Sequence, residues 1–269
     1  MPIAVLAIAA SAAGILLESV YTKETDNWAG QAVGQDVANL IAYPALLLLA
    51  LAAGRGSLRA YLAWTGVLAY SVYAYAIYAF SVHFGPLFLV YVAVFGLSIY
   101  ALVGGLASID PERVKESFTS RTPLRTASTV LIAIGAVFYL LWLSEVIPAT
   151  LGNATPQSLV EAGLPTNPVH VLDMAVLLPA TMLAGVLLTK RREWGYCLAP
   201  LLLGSLALLG LGIVAAMAVL AIRREAASWG VAIAVGAITG IEVLVLARFL
   251  RAIDRDDLRA VLRPPKDST

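Results

Sequence analysis

Six ionisable side chains fall at one depth on segments that are otherwise apolar: Glu18, Asp36, His83, Glu145, His170 and Asp173. Both histidines of the chain are among them. Asn39 joins the group, because spacings of four place Gln31, Gln35 and Asn39 on one helical stripe with Asp36 beside it. Asn167, His170 and Asp173 repeat at helical spacing in the same way. A charged group deep in a bilayer costs about 2.5–3.5 kcal/mol on insertion scales, so such residues normally face a bundle interior or water. Four carboxylates and two imidazoles turned toward one outward-facing cavity would bind a cation, a proton or a cationic group of a small molecule. In that reading Glu18, Asp36, Glu145 and Asp173 bind, and His83 and His170 tune or ligate. That is the site of a transporter or membrane-embedded binding protein. The bland alternative places each residue at a helix end in the headgroup zone, with Asp36 capping its helix, and leaves a structural or assembly protein without chemistry.

The same histidines suggest a second chemistry. Imidazole nitrogen and carboxylate oxygen suit a single divalent metal such as zinc, with a fourth position left for water. A metal-bound water at His83 and His170 would attack a lipid or isoprenoid at the outer leaflet. The two histidines lie on different segments, without the local HExxH spacing that marks many zinc enzymes. Glu242 stands apart from both groups. It lies 13 residues from Trp229, or roughly 20 Å along a helix, which puts it near the membrane midplane. There it would relay protons, or rest as a protonated acid bonded to a neighbouring helix.

These residues need a frame, and the frame is eight apolar segments at about residues 2–20, 37–54, 60–81, 86–108, 126–148, 168–189, 196–222 and 229–252. Crossing a hydrocarbon core of about 30 Å takes roughly 20 helical residues, and only self-satisfied backbones do so. The expected fold is all-α: a polytopic bundle of eight transmembrane helices. Composition agrees, with 60% hydrophobic residues, 13% charged residues and a mean hydropathy of +0.86. The first segment lacks a basic leader region and ends in Glu18, so it reads as a retained span and not a signal peptide. Fifteen of the 18 Lys and Arg residues fall in alternate connections and the C-terminal tail, leaving Lys23, Arg223 and Arg224 for the other side. By the positive-inside tendency both termini are cytoplasmic.

The long connector at 109–125 divides the chain into halves at 1–108 and 126–252, followed by a tail at 253–269. Asp110-Pro111-Glu112 reads as a helix start, and short interfacial helices are expected at 113–118 and 254–262. The halves echo each other: Glu18 answers Glu145, Asp36 with Pro44 answers Asp173 with Pro179, and eleven residues separate Pro44 from Arg55 and Pro179 from Lys190. A parallel 4+4 repeat would produce that echo. Each proline frees a backbone carbonyl, at Leu40 and Ala175. Tyr70 and Tyr73 lie deep enough that their hydroxyls need partners.

Several mechanisms are excluded. Lys23, Lys115, Lys190 and Lys266 all lie outside the segments, so none forms a buried retinal Schiff base. No Walker loop and no GxSxG elbow occurs. The lone Cys197 rules out an intrachain disulfide. The seven-helix hydrolases related to adiponectin receptors use three zinc histidines, and this chain has two in all. The stretch Trp28-Ala29-Gly30-Gln31-Ala32-Val33-Gly34-Gln35-Asp36-Val37-Ala38-Asn39-Leu40, with the tyrosine-rich residues 70–78 and His83-Phe84, resembles an uncharacterised family of prokaryotic multi-pass membrane proteins. That resemblance covers most of the chain and implies no activity. The expected partners are the lipid bilayer and a small molecule or ion; a homo-oligomer is compatible, and no nucleic acid is expected.

Overall fold

A computed structural model describes residues 1–225 and 227–263. Among these residues every named element is helical. The helices are α1 (Pro2–Leu16), α2 (Asp26–Gly54), α3 (Leu58–Ser81), α4 (Phe88–Ser108), α5 (Pro111–Glu116), α6 (Leu124–Leu151), α7 (Gln157–Ala162), α8 (Pro168–Leu172), α9 (Leu178–Thr189), α10 (Glu193–Ile222), α11 (Trp229–Arg251) and α12 (Leu258–Val261). A π turn, Asp173–Leu177, joins α8 to α9 in one continuous helix, Pro168–Thr189.

Among the described residues six helices are long and apolar enough to cross a membrane: α2, α4, α6, the α8–α9 helix, α10 and α11. The other two expected spans form helices but differ in kind. α1 has 15 residues, about 22 Å of rise, short of a full hydrocarbon core. It stops at Leu16 and not at residue 20, because Glu18–Val20 forms a 3₁₀ turn. α3 is long enough at 24 residues, but its tyrosines and small polar residues lower its hydropathy. α2 starts eleven residues earlier than the apolar pattern indicates. Thr25 caps it, its Oγ1 accepting the Trp28 N–H at 3.2 Å, and the polar first turns find internal partners. Of the two interfacial helices, the first occupies Pro111–Glu116, with the Asp110 carboxylate accepting the Glu112 N–H. The second shrinks to the single turn Leu258–Val261; Pro264 and Pro265 lie outside the described residues.

Packing follows two rings. α1 lies against α2 and α4, and α3 joins α2 to α4. In the second half α6 packs on α9, α9 on α10, α10 on α11, and α11 returns to α6. The halves meet where α10 crosses α2 and α3. Two glycines set that crossing. A Cβ on Gly34 would sit 2.2 Å from the Ala216 Cα, and one on Gly66 would sit 3.0 Å from the Leu201 carbonyl and 3.3 Å from the Gly204 Cα. Small residues thus let backbones approach closely, the usual route to tight helix association in lipid.

The two ends of the bundle are sealed differently. At the basic end the chain's tail straps the connectors together. The Leu258 N–H bonds to the Gly56 carbonyl at 2.7 Å, Asp110 N–H to Val261 at 2.8 Å, and Arg263 N–H to Ser108 at 2.9 Å. Arg59 reaches the Leu250 and Ile253 carbonyls and the Asp256 carboxylate. At the opposite end Lys23 donates to the Phe84 carbonyl at 2.8 Å, Thr25 to Glu161 at 2.9 Å, and Trp28 Nε1 to Ser81 at 3.1 Å. These connectors therefore gather at two opposite ends of the bundle.

Candidate functional site

At the end opposite the basic strap, a cavity of about 510 Å³ opens between α1, α2 and the segment after α10. Its polar lining is acidic: Glu18, Glu24, Asp26 and Glu225, with Arg223 as the cation. Ile15, Leu17 and Ala29 supply apolar wall, and Gly14 and Tyr21 close the deep side.

Asp36 lies directly behind that deep side, 2% exposed. The Tyr21 hydroxyl donates to its Oδ2 at 2.7 Å and the Tyr78 hydroxyl to its Oδ1 at 2.9 Å. The 3₁₀ turn after α1 is what brings Tyr21 over α2. Burial, reinforced by the adjacent Asp36 carboxyl, pushes the Tyr21 phenol well above its ordinary value, so it serves as a donor. Gly14 makes room: a Cβ there would stand 2.0 Å from Asp36 Oδ2 and 2.8 Å from the Tyr21 hydroxyl. Among the described residues no cationic side chain pairs with Asp36.

One turn deeper, Asn39 is fully buried and anchors an adjoining chain of hydrogen bonds. Its Nδ2 donates to Ser11 Oγ at 3.0 Å, and its Oδ1 accepts from the Tyr70 hydroxyl at 2.5 Å, which in turn accepts from Gln35. Tyr43, Tyr75 and Tyr91 fill the surrounding core, with Tyr78 stacked on Tyr91 at 5.0 Å. The hydroxyls of Tyr43 and Tyr91 are buried without a partner among the described residues.

The second half carries its own polar group. Asp173, at the first position of the π turn, accepts from the Tyr73 hydroxyl at 2.8 Å and from Trp142 Nε1 at 2.7 Å. The π turn lets the Leu178 N–H reach the Asp173 carbonyl, immediately before Pro179, which has no N–H to give. The His170 ring lies 4.4 Å from that of Trp142, and its Nε2 is 3.7 Å from Glu145 Oε2. Glu145 Oε1 accepts from Ser158. Asn167 caps α8 through the Val169 and His170 N–H groups.

The single layer expected from sequence is therefore divided. Glu18 is exposed on the cavity wall, Asp36 is buried behind it, and Glu145, His170 and Asp173 cluster elsewhere. His83 is exposed and outside that cavity's lining, and its N–H and Nδ1 meet both oxygens of Glu24 at 2.8 and 3.0 Å. The two histidines thus serve different carboxylates. Among the described residues no group of three or more His, Cys, Asp or Glu side chains stands close enough to hold a metal ion, so the donor set for a metal at His83 and His170 is not assembled. Glu242 is 2% exposed on α11, away from both groups. Tyr21, Glu24, Asp26, Glu225 and Trp142 belong to the site without having been singled out by type and spacing. Comparison with protein-family models, with curated proteins and with solved structures finds no match to this chain, so the resemblance carried by residues 28–40 gains no support.

Proposed function

We propose that this is an eight-span protein of the cytoplasmic membrane, with both termini inside, that takes up a cation or proton from the outer side at Asp36. The observation that carries the reading is a carboxyl buried in the bundle, without a cationic partner among the described residues, separated from an open acidic cavity by one tyrosine. Acidic walls concentrate cations, and a low-dielectric surround strengthens that field. Glu18, Asp26 and Glu225 attract the cation or cationic group; a proton reaches Asp36 by relay, Tyr21 passing its hydroxyl proton to the carboxylate as it takes one from the cavity, and any other cation reaches Asp36 only when Tyr21 swings aside. Glu145, His170 and Asp173 form the counterpart in the second half.

Alternating connectors and the 15 basic residues on one side support eight passes and their orientation. The 4+4 repeat is supported by the matching helix rings and by Gly66 of α3 meeting Leu201 and Gly204 of α10, the third helix of each half.

The test is proton or sodium movement into sealed liposomes holding the full chain. The expected result is chelator-insensitive flux that falls at least tenfold in Asp36→Asn and measurably in Glu18→Gln, an exposed change that leaves folding alone. Flux in Asp36→Asn equal to the unaltered protein overturns the reading.

A further inference from the structure

Glu242 is the buried carboxyl that the outer cavity does not use. Asp36 and Asp173 each receive two hydrogen bonds, Glu145 receives one and Glu24 pairs with His83. Glu242 is as buried as Asp36, and among the described residues no donor reaches it. One helical turn away on the same face, the Thr239 Oγ1 is shut from solvent and also lacks a partner. A helical threonine ordinarily bonds back to the carbonyl four residues earlier; this one instead presses on Gly210 of α10, where a Cβ would stand 2.1 Å from it. An orphaned hydroxyl in the seam of α10 and α11 thus lies one turn from a buried carboxyl that no donor reaches among the described residues.

Buried polar groups left without partners are rare and call for an explanation. A bare carboxylate there would be costly, so the group must hold a neutralising companion. A hard metal cation takes six or more oxygens, and this face of α11 offers only those of Glu242 and Thr239. We infer that Glu242, with Thr239 beside it, is a second site in the second half of the bundle, and that its ligand is a proton. The carboxylate takes one proton to become the neutral acid and releases that same proton. α11 packs on α10 and α6. The titratable residues of α10 are Glu193, Tyr196 and Cys197, all near its basic-end start, and those of α6 are Arg125, Tyr139 and Glu145; none is bonded to Glu242.

The experiment is infrared spectroscopy of the full chain in lipid. The expected result is a carboxylic-acid C=O band that shifts on transfer to D₂O and is lost in Glu242→Gln. Labelling of Glu242 by an apolar carbodiimide, mapped by mass spectrometry, should agree. Both signals should persist in Asp36→Asn, which separates this site from the outer one. A spectrum unchanged by Glu242→Gln, or a band in the unaltered protein that ignores D₂O, overturns the inference.

Discussion

Replacing Gly14 by alanine tests the contact between the cavity floor and Asp36. The added methyl would begin 2.0 Å from Asp36 Oδ2, and ordinary van der Waals contact starts near 3.4 Å. Asp36 or the helix must therefore move by more than the 2.7 Å Tyr21–Asp36 hydrogen bond tolerates. Overpacking costs about 1–3 kcal/mol, the hydrogen bond to the carboxyl about 1.5–3, and alanine returns about 1 in helix propensity, leaving a net loss of roughly 1.5–5 kcal/mol. Gly96→Ala is the control, since nothing lies within 4 Å of a Cβ there. Thermal unfolding in detergent should show Gly14→Ala several degrees below the unaltered protein and Gly96→Ala at or above it. A Gly14→Ala protein that unfolds with the control would refute the packing of Asp36 against α1.

Removing either phenol from Asp36, by Tyr21→Phe or Tyr78→Phe, should destabilise by about 1–3 kcal/mol, and a double-mutant cycle should show the two effects coupled through the carboxyl. Trp142→Phe should cost a similar 1–3 kcal/mol by stripping a donor from Asp173, and hydrogen exchange should quicken around the π turn Asp173–Leu177 and not in α2. Arg59→Ala should loosen the strap at the basic end, read as faster proteolysis at residues 254–263 with α2 and α10 still protected; unchanged cleavage would mean that the strap is held without it.

Hydropathy is a sum over a window, so it located the helices where apolar residues are contiguous. It misplaced the start of α2 because Gln31, Gln35 and Asp36 lower the hydropathy of the window, whereas Gln35 and Asp36 spend their polar groups on Tyr70, Tyr21 and Tyr78 across the bundle. The end of α1 was misread for a related reason: the 3₁₀ turn exists to place Tyr21, and nothing local announces it. The expected hydroxyl partners of Tyr70 and Tyr73 were found, at Asn39 and Asp173. Shared depth, however, does not make shared position. Glu145, His170 and Asp173 lie on helices of the other ring, and depth along a helix carries no information on which neighbour it faces. The π turn was equally hidden, since Pro179 signals a disturbed hydrogen bond but not how the chain repairs it.

The central claim is that Asp36 is reached through the cavity lined by Glu18. Cys197 is fully buried, so a Glu18→Cys protein offers one accessible thiol. In sealed liposomes, complete modification by a bulky, membrane-impermeant maleimide should block cation or proton flux, while the unaltered protein treated alike keeps its flux. Undiminished flux through a fully modified protein would contradict the account.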